Sequence, residues 1–381
     1  MKLCLVSPYY APHIGGVETH VQELAKYMVD RGEDVTVLTS RYSRHQPRIE
    51  RREGVKVRRV STLFLTFRTP FMPAVHKEIL KGDWDIVHSH TPPPFTAYFA
   101  CTAANTKGIP HVLTYHCDDE IPVPALGPVI VALYRESLGR YTLSHSDRVV
   151  TSTPSYARTS RLAWRYEPEV IGAAVDVQRF SPMVDGTKVR SQLGIPPAEE
   201  AHMVLYVGRL EPHKGVEFLL EAVPMLRPSA HVVIVGRGPW REALEDSAKR
   251  LDVANRVTFA GAVPWPELPQ YHRASDIFVL PSISRLEAFG IVGLEAMSSQ
   301  KPVILSDIPG VRDVIEDGKE GLLSRPTDPK DIAEKINTLI DDPKLRVEMG
   351  ESGRKRVMEK FSWDVIGQRY KDLYDRILDS D

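Results

Sequence analysis

Cysteine is scarce in this chain of 381 residues: Cys4, Cys101 and Cys117 lie far apart and form no C-x-x-C pair. That disfavours a disulfide framework and a cysteine zinc site, and suits a reducing compartment. Long apolar runs are missing too. The longest, Val123 to Tyr134, has 12 residues and is broken by Pro124, Gly127 and Pro128, whereas a spanning helix needs about 20. The first residues, Met1 to Val6, reach Ser7-Pro8 too soon for the apolar region of a signal peptide. No sign of charge dominates: 49 Lys and Arg face 50 Asp and Glu, which argues against a general nucleic-acid binder. Neither half carries G-x-G-x-x-G between a strand and a helix, and Gly236-x-Gly238 lacks the third glycine. An NAD-dependent oxidoreductase is disfavoured accordingly. The expectation is a cytoplasmic protein, with attachment to the inner face of the cell membrane left open.

Proline is plentiful, with 30 residues scattered along the chain, as suits many abrupt element ends. Short apolar runs alternate with helical patterns throughout. The predicted strands are 2–6, 35–39, 55–60, 86–89, 111–114 and 148–151, then 203–207, 231–235, 257–260, 277–280 and 302–305. Most are apolar at every position, as parallel strands buried on both faces should be. Amphipathic helices are predicted at 17–28, 216–226 and 363–378. Repeated strand–helix–strand units mean a doubly wound α/β sheet.

The two halves open alike. A strand, Pro12-His13 and Gly15-Gly16-Val17-Glu18 in the first parallel a strand, Pro212-His213 and Gly215-Val216-Glu217 in the second. Two Rossmann-like domains follow: residues 1–172 joined by 363–381, and residues 183–362.

The strongest chemical signal is Glu287-Ala-Phe-Gly-Ile-Val-Gly-Leu-Glu295, two carboxylates eight positions apart after a buried-strand pattern. Gly290 onward reads as a helix start, so the free N–H groups of a helix N-terminus, suited to a phosphate, lie between them. Gly208-Arg209-Leu-Glu-Pro-His-Lys214-Gly215 follows the first strand of the second half and offers two cations. Arginine can clamp two phosphate oxygens, while lysine acts as a point charge. His116 stands at the carboxyl end of a predicted strand, where ligands bind in open α/β sheets. Asp118-Asp119, adjacent acids in a loop, are a weak metal signal.

These segments resemble the E-x(7)-E and G-R-x(4)-K-G motifs of the family 4 retaining glycosyltransferases. Gly236-Arg-Gly238-Pro and Val257-Thr-Phe-Ala-Gly261-Ala-Val263 also match, in order. The resemblance covers nearly the whole chain. Within the family the phosphatidylinositol mannosyltransferases look closest, through Phe289-Gly290-Ile291-Val292 and Gly236-Arg237-Gly238. It implies a GT-B fold, with two Rossmann-like domains facing a cleft and a last helix crossing back to the first. It further implies retaining, metal-independent transfer of a hexose from a UDP- or GDP-sugar to a lipid or sugar hydroxyl, without a cofactor. In that reading Arg209 and Lys214 stabilise the departing diphosphate. Gly16, Gly236, Val263, Phe289, Gly290, Ile291 and Val292 line the donor site, Glu295 binds the ribose and Glu287 the donor sugar. His116 meets the sugar near the reacting centre. One departure is Gly172-Ala-Ala-Val175-Asp176, where the family usually carries Asn-Gly-Val-Asp. A sugar-nucleotide 2-epimerase and a non-catalytic sugar-nucleotide binder are the rivals.

Between Arg41 and Arg59 eight basic residues face two acidic ones, and Leu63-Phe64-Leu65-Thr66-Phe67-Arg68 and Phe71-Met72 follow. Cations beside apolar and aromatic groups suit an anionic membrane surface. Arg51, Arg52, Arg58 and Arg59 are the candidates to meet it or a lipid acceptor; a soluble sugar phosphate would use the same charge.

Overall fold

A computed structural model describes residues 1–13, 15–66, 69–92, 94–118, 126–197 and 200–380. The chain divides into two units, Met1–Ala173 with the segment from Trp363 onward, and Ala174–Ser362.

The first unit contains β1 (Lys2–Val6), β2 (Asp34–Arg41), β3 (Ile49–Arg52), β4 (Val55–Ser61), β5 (Phe64–Thr66), β6 (Thr69–Phe71), β7 (Ile86–Thr91), β8 (His111–Tyr115), β9 (Arg148–Thr151) and β10 (Glu169–Val170). Eight of them form one sheet in the order β10-β9-β8-β7-β1-β2-β4-β3. Every pairing in it is parallel except β3 with β4. Leu3, Cys4, Leu5 and Val6 of β1 are fully buried, and each such apolar side chain contributes about 1.5–3 kcal/mol. That burial on both faces explains the unbroken apolar runs.

The Gly16–Asp30 helix packs on the Trp363–Leu378 helix. A Cβ on Gly367 would come within 2.6 Å of the Tyr27 ring, so glycine there lets the two helices approach. Tyr370 and Tyr374 of the later helix are fully buried, and the Tyr374 hydroxyl lies 2.6 Å from Nδ1 of His88 on β7.

The second unit carries β11 (His202–Val207), β12 (Ala230–Val235), β13 (Val257–Gly261), β14 (Ile277–Leu280), β15 (Val303–Ser306) and β16 (Gly321–Ser324). All are parallel, in the order β13-β12-β11-β14-β15-β16. In both sheets the chain winds outward from the first strand and then reverses, giving a switch point between β1 and β7 and another between β11 and β14.

The predicted strands are all present, with ends shifted by two residues at most. The ones not anticipated have a common cause. β3 reads Ile-Glu-Arg-Arg at a polar sheet edge, β5, β6 and β10 have two or three residues, and β16 starts on glycine. None offers an apolar run longer than three residues to detect.

Candidate active site

Lys214 and Glu287 come from opposite sides of the second switch point, in the loops after β11 and β14. Two close approaches lock those loops together. Gly215 has φ +64°, and a Cβ there would stand 2.2 Å from the Pro281 carbonyl oxygen. Ile283 N–H donates to the His213 carbonyl at 3.0 Å. With the loops so fixed, Lys214 Nζ donates to Glu287 Oε2 in an ion pair that is mostly buried on both sides. Ser282 Oγ donates to the same oxygen at 3.2 Å. Burial alone would raise the Glu287 pKa; the charge and hydrogen bond of Lys214 overcome it and hold the carboxyl below its ordinary value. His213 is pushed down to about 4, first by burial and then by the Lys214 charge. Lys214 is thus already paired with Glu287, a partnership the sequence did not signal.

Arg209 differs. Its side chain is 65% exposed and reaches Glu211 at 3.1 Å, so its guanidinium stands in solvent. Gly236 has φ +148°, and a Cβ there would fall 1.8 Å from the Gly208 carbonyl; glycine is what lets the loops after β11 and β12 touch. Val263 is half-buried just past the carboxyl end of β13.

Gly290 takes φ +80° immediately before the Ile291–Ser298 helix. The helix therefore begins with N–H groups at Ile291 and Val292 that have no intrahelical acceptor. Phe289 is buried and packs edge-on against Phe361, centroids 5.7 Å apart, which leaves its backbone as the part able to meet a ligand. Glu295 is buried as well, with Oε2 3.3 Å from Nε2 of the fully buried His272. The ribose-binding residue implied by resemblance thus has an interior neighbour that the sequence did not signal.

In the first unit Gly16 opens its helix at an exposed position after β1. His116 follows β8, its N–H bonded to the Thr91 carbonyl at 2.8 Å and its Nε2 3.0 Å from Nδ1 of His90. His20, on the Gly16–Asp30 helix, meets both rings edge-on. His20 and His90 were not singled out from sequence, although His88-Ser-His90 at a strand end was a signal, since alternate residues share a face.

Asp118 has a structural place. It is buried, and its Oδ1 accepts from the Tyr115 hydroxyl and from Arg161 N–H, both at 2.9 Å. Asp119, Phe67 and Arg68 lie outside the described residues, as do 123–125 of the longest apolar run. Among the described residues no group of three His, Cys, Asp or Glu is arranged to hold a metal, and no helix is long and apolar enough to cross a membrane.

The basic stretch does not form one face. Arg59 is 4% exposed, paired with Glu50 at 2.7 Å and donating to the Ala11 carbonyl at 2.7 Å. It belongs to the interior, because β4 alternates and its odd-numbered residues Val55, Val57 and Arg59 point inward. Arg58 is half-buried and pairs with Glu78 at 2.6 Å. Arg51 and Arg52 are exposed but sit beside Lys56 and Val55, at the amino end of β4. The apolar Leu63, Phe64 and Leu65 follow its carboxyl end and are 67, 53 and 59% exposed. The exposed cations at that end are Arg44 and Arg48, in the loop before β3.

The family profile described as Glycosyl transferases group 1 matches residues 190–356, and that described as Glycosyltransferase Family 4 matches residues 14–179. An uncharacterized glycosyltransferase of Methanocaldococcus jannaschii is 30% identical, over 98% of each chain. A D-inositol 3-phosphate glycosyltransferase of Thermomonospora curvata is 29% identical, over 94% of this chain and 90% of its own. A GDP-mannose-dependent alpha-(1-6)-phosphatidylinositol monomannoside mannosyltransferase of Mycolicibacterium smegmatis is 28% identical, over 97% of each. Among solved structures, sucrose-phosphate synthase from Thermosynechococcus elongatus superposes with a TM-score of 0.82 at 22% identity, covering 100% of both chains. The fold is GT-B.

Proposed function

This chain belongs to the group 1 and family 4 glycosyltransferases, and we propose that it moves a hexose from a nucleoside-diphosphate sugar to a hydroxyl acceptor with retention of configuration. The observation that carries this reading is the Lys214–Glu287 pair at the switch point, next to the amide-rich start of the Ile291–Ser298 helix. Breaking the bond to the sugar leaves negative charge on the diphosphate and positive character on the anomeric carbon. Lys214, Arg209 and the helix amides stabilise the former; Glu287, ionised at neutral pH, is the group to face the latter. The cations make a metal unnecessary in this reading, so turnover should persist in a chelator. Glu295 takes the ribose hydroxyls, Val263 presents backbone to the base, and His116 meets the sugar. Transfer from a panel of GDP- and UDP-sugars, with products read by mass spectrometry and anomeric NMR, is the test. Donor hydrolysis without transfer to any acceptor, or epimerised donor, would defeat it.

The acceptor in this reading is a lipid, supported by the exposed Leu63–Leu65 segment with Arg44 and Arg48 at the same strand end. The protein should co-sediment with anionic but not zwitterionic vesicles at low salt, and raised salt should release it. The Phe64→Ser/Leu65→Ser double variant should lose vesicle binding, and Arg51→Ser/Arg52→Ser should keep it. No sedimentation with either vesicle would favour a soluble sugar phosphate, such as an inositol phosphate.

A further inference from the structure

His20, His88, His90 and His116 pack ring against ring in the first unit, and their hydrogen bonds are unequally filled. His88 is satisfied at both nitrogens, by the Tyr374 hydroxyl at 2.6 Å and the Thr114 hydroxyl at 2.8 Å. His90 is not. Its Nδ1 faces His116 Nε2 at 3.0 Å, while its Nε2 is buried with no partner among the described residues. Burial, assisted by the neighbouring imidazoles, lowers the pKa of both His90 and His116 well below the ordinary value. Each ring is therefore neutral near pH 7 and carries a single proton.

Two arrangements of the protons are then open. In one, His90 donates from Nδ1 to His116 Nε2, and the proton of His116 sits on Nδ1. In the other, His116 donates from Nε2, and the proton of His90 moves to its buried, partnerless Nε2. The second orphans a buried N–H, which has given up its hydrogen bond to water and gains none in return. The first leaves only a bare lone pair there, and unsatisfied acceptors are the commoner defect. The nitrogen that one ring commits to its neighbour decides where the other carries its proton.

We propose that His90 is a positioning residue that holds His116 in the Nδ1–H tautomer, so that His116 meets its ligand as a hydrogen-bond donor and not as a base. The free nitrogen is in the right place for that. His116 is half-buried, not closed off, and its Nδ1 makes no hydrogen bond among the described residues. The partner it fits is an oxygen acceptor, a hydroxyl of the sugar or an oxygen of the departing phosphate. This inference rests on the assignment of His116 to the sugar being transferred.

Imidazole ¹⁵N correlation spectra of the full chain near pH 7.5 read the tautomer directly, with His116 assigned by its loss in His116→Asn. A pyrrole-type Nδ1 and a pyridine-type Nε2 are expected, and the reverse pattern would overturn the proposal. His90→Asn places an amide near the lost Nδ1 and should preserve both the pattern and kcat. His90→Phe should mix the tautomers and lower kcat about ten-fold or more, the scale on which an outer partner is felt, with little change in donor KM. If His90→Phe fails to fold, the parent and His90→Asn spectra still decide; if it folds and the His116 tautomer is unchanged, His90 does not set it. Parental transfer by His116→Asn would remove His116 from the reaction while leaving the tautomer result intact.

Discussion

In both units a first strand runs into a glycine-bearing loop and a helix, Gly15-Gly16-Val17-Glu18 in one and Gly215-Val216-Glu217 in the other. The side chains gathered near the two switch points are nevertheless of opposite kinds. The first unit assembles imidazoles that burial keeps neutral, backed by tyrosine hydroxyls from a distant helix. The second unit keeps full charges, Lys214 against Glu287, in a nearly dry setting. Neutral groups there can select by hydrogen-bond direction without attracting anions at large. A buried ion pair is poised differently: it is costly to break by halves, and in the proposed function a diphosphate would compete with Glu287 for the same ammonium. One sheet plan thus supports direction-specific bonding in one unit and charge in the other.

The sharpest way to break this contrast is Lys214→Ala. Loss of one preorganised donor typically costs on the order of 10²–10³ in rate, and kcat should fall by about that much. The variant also leaves Glu287 buried with only Ser282, so stability should fall by about 2 kcal/mol or more. Denaturant melts should recover most of that loss in Lys214→Ala/Glu287→Gln, where both charges are gone. Equal stability of parent and single variant would mean the pair is not coupled.

Acid should separate the units next. Imidazoles held neutral have folded pKa values below the unfolded value of about 6.5. The unfolded chain therefore takes up protons first, and the stability they contribute is complete above about pH 6.5 and shrinks as pH falls toward the folded values. Those are about 4 for His20 and about 3 for His111. Each tenfold difference in proton affinity between the folded and unfolded chain is worth about 1.4 kcal/mol, so His20 alone removes about 3 kcal/mol by about pH 4. Glu287 runs the other way in range: its lowered pKa stabilises above the ordinary carboxylate value and is lost only as pH falls through the lowered one. Histidines 202, 213 and 231 of the second unit are also lowered, but none is fully buried. Hydrogen exchange read by peptide mass spectrometry, corrected for intrinsic rates, should show the first unit opening first between about pH 6.5 and 5.

Smaller effects sharpen the picture. Arg209→Ala should slow transfer about ten-fold or more while leaving the melting temperature within error, because its guanidinium is already in solvent. Asp118→Asn should do the reverse. It keeps the shape, weakens two hydrogen bonds of its carboxylate, and should cost about 1 kcal/mol of stability with kcat unchanged.

What the sequence revealed was what periodicity and glycine can encode. Long parallel strands are apolar at every position, so β1, β11 and β14 were legible, and so was the helix after Gly290. Arg59 was misread because charge in a stretch of sequence says nothing about which side of a strand each residue faces. Pairing with Glu50 is what makes its burial tolerable, and only the β3–β4 register brings Glu50 opposite Val57, within reach of Arg59. His90 escaped notice for a related reason: its partner His116 lies 26 positions away, on the next strand's end. The Lys214–Glu287 pair was divided between two motifs 73 residues apart, each legible, but their union depended on the strand order.

The Trp363–Leu378 helix has a consequence for how the molecule is made. Its tyrosines fill the interior beside His88, and Lys371 and Arg376 reach Glu33 at 3.2 Å and Glu169 at 2.8 Å. During synthesis the strands of the first unit emerge early, and that interior stays open while the whole Ala174–Ser362 unit is translated. Chains usually complete their earliest domain first; here the second unit has every strand and helix it needs before the first does. The order of completion is inverted relative to the order of translation, and a released chain truncated before residue 363 would have every strand and helix of the second unit but lack the closing helix of the first.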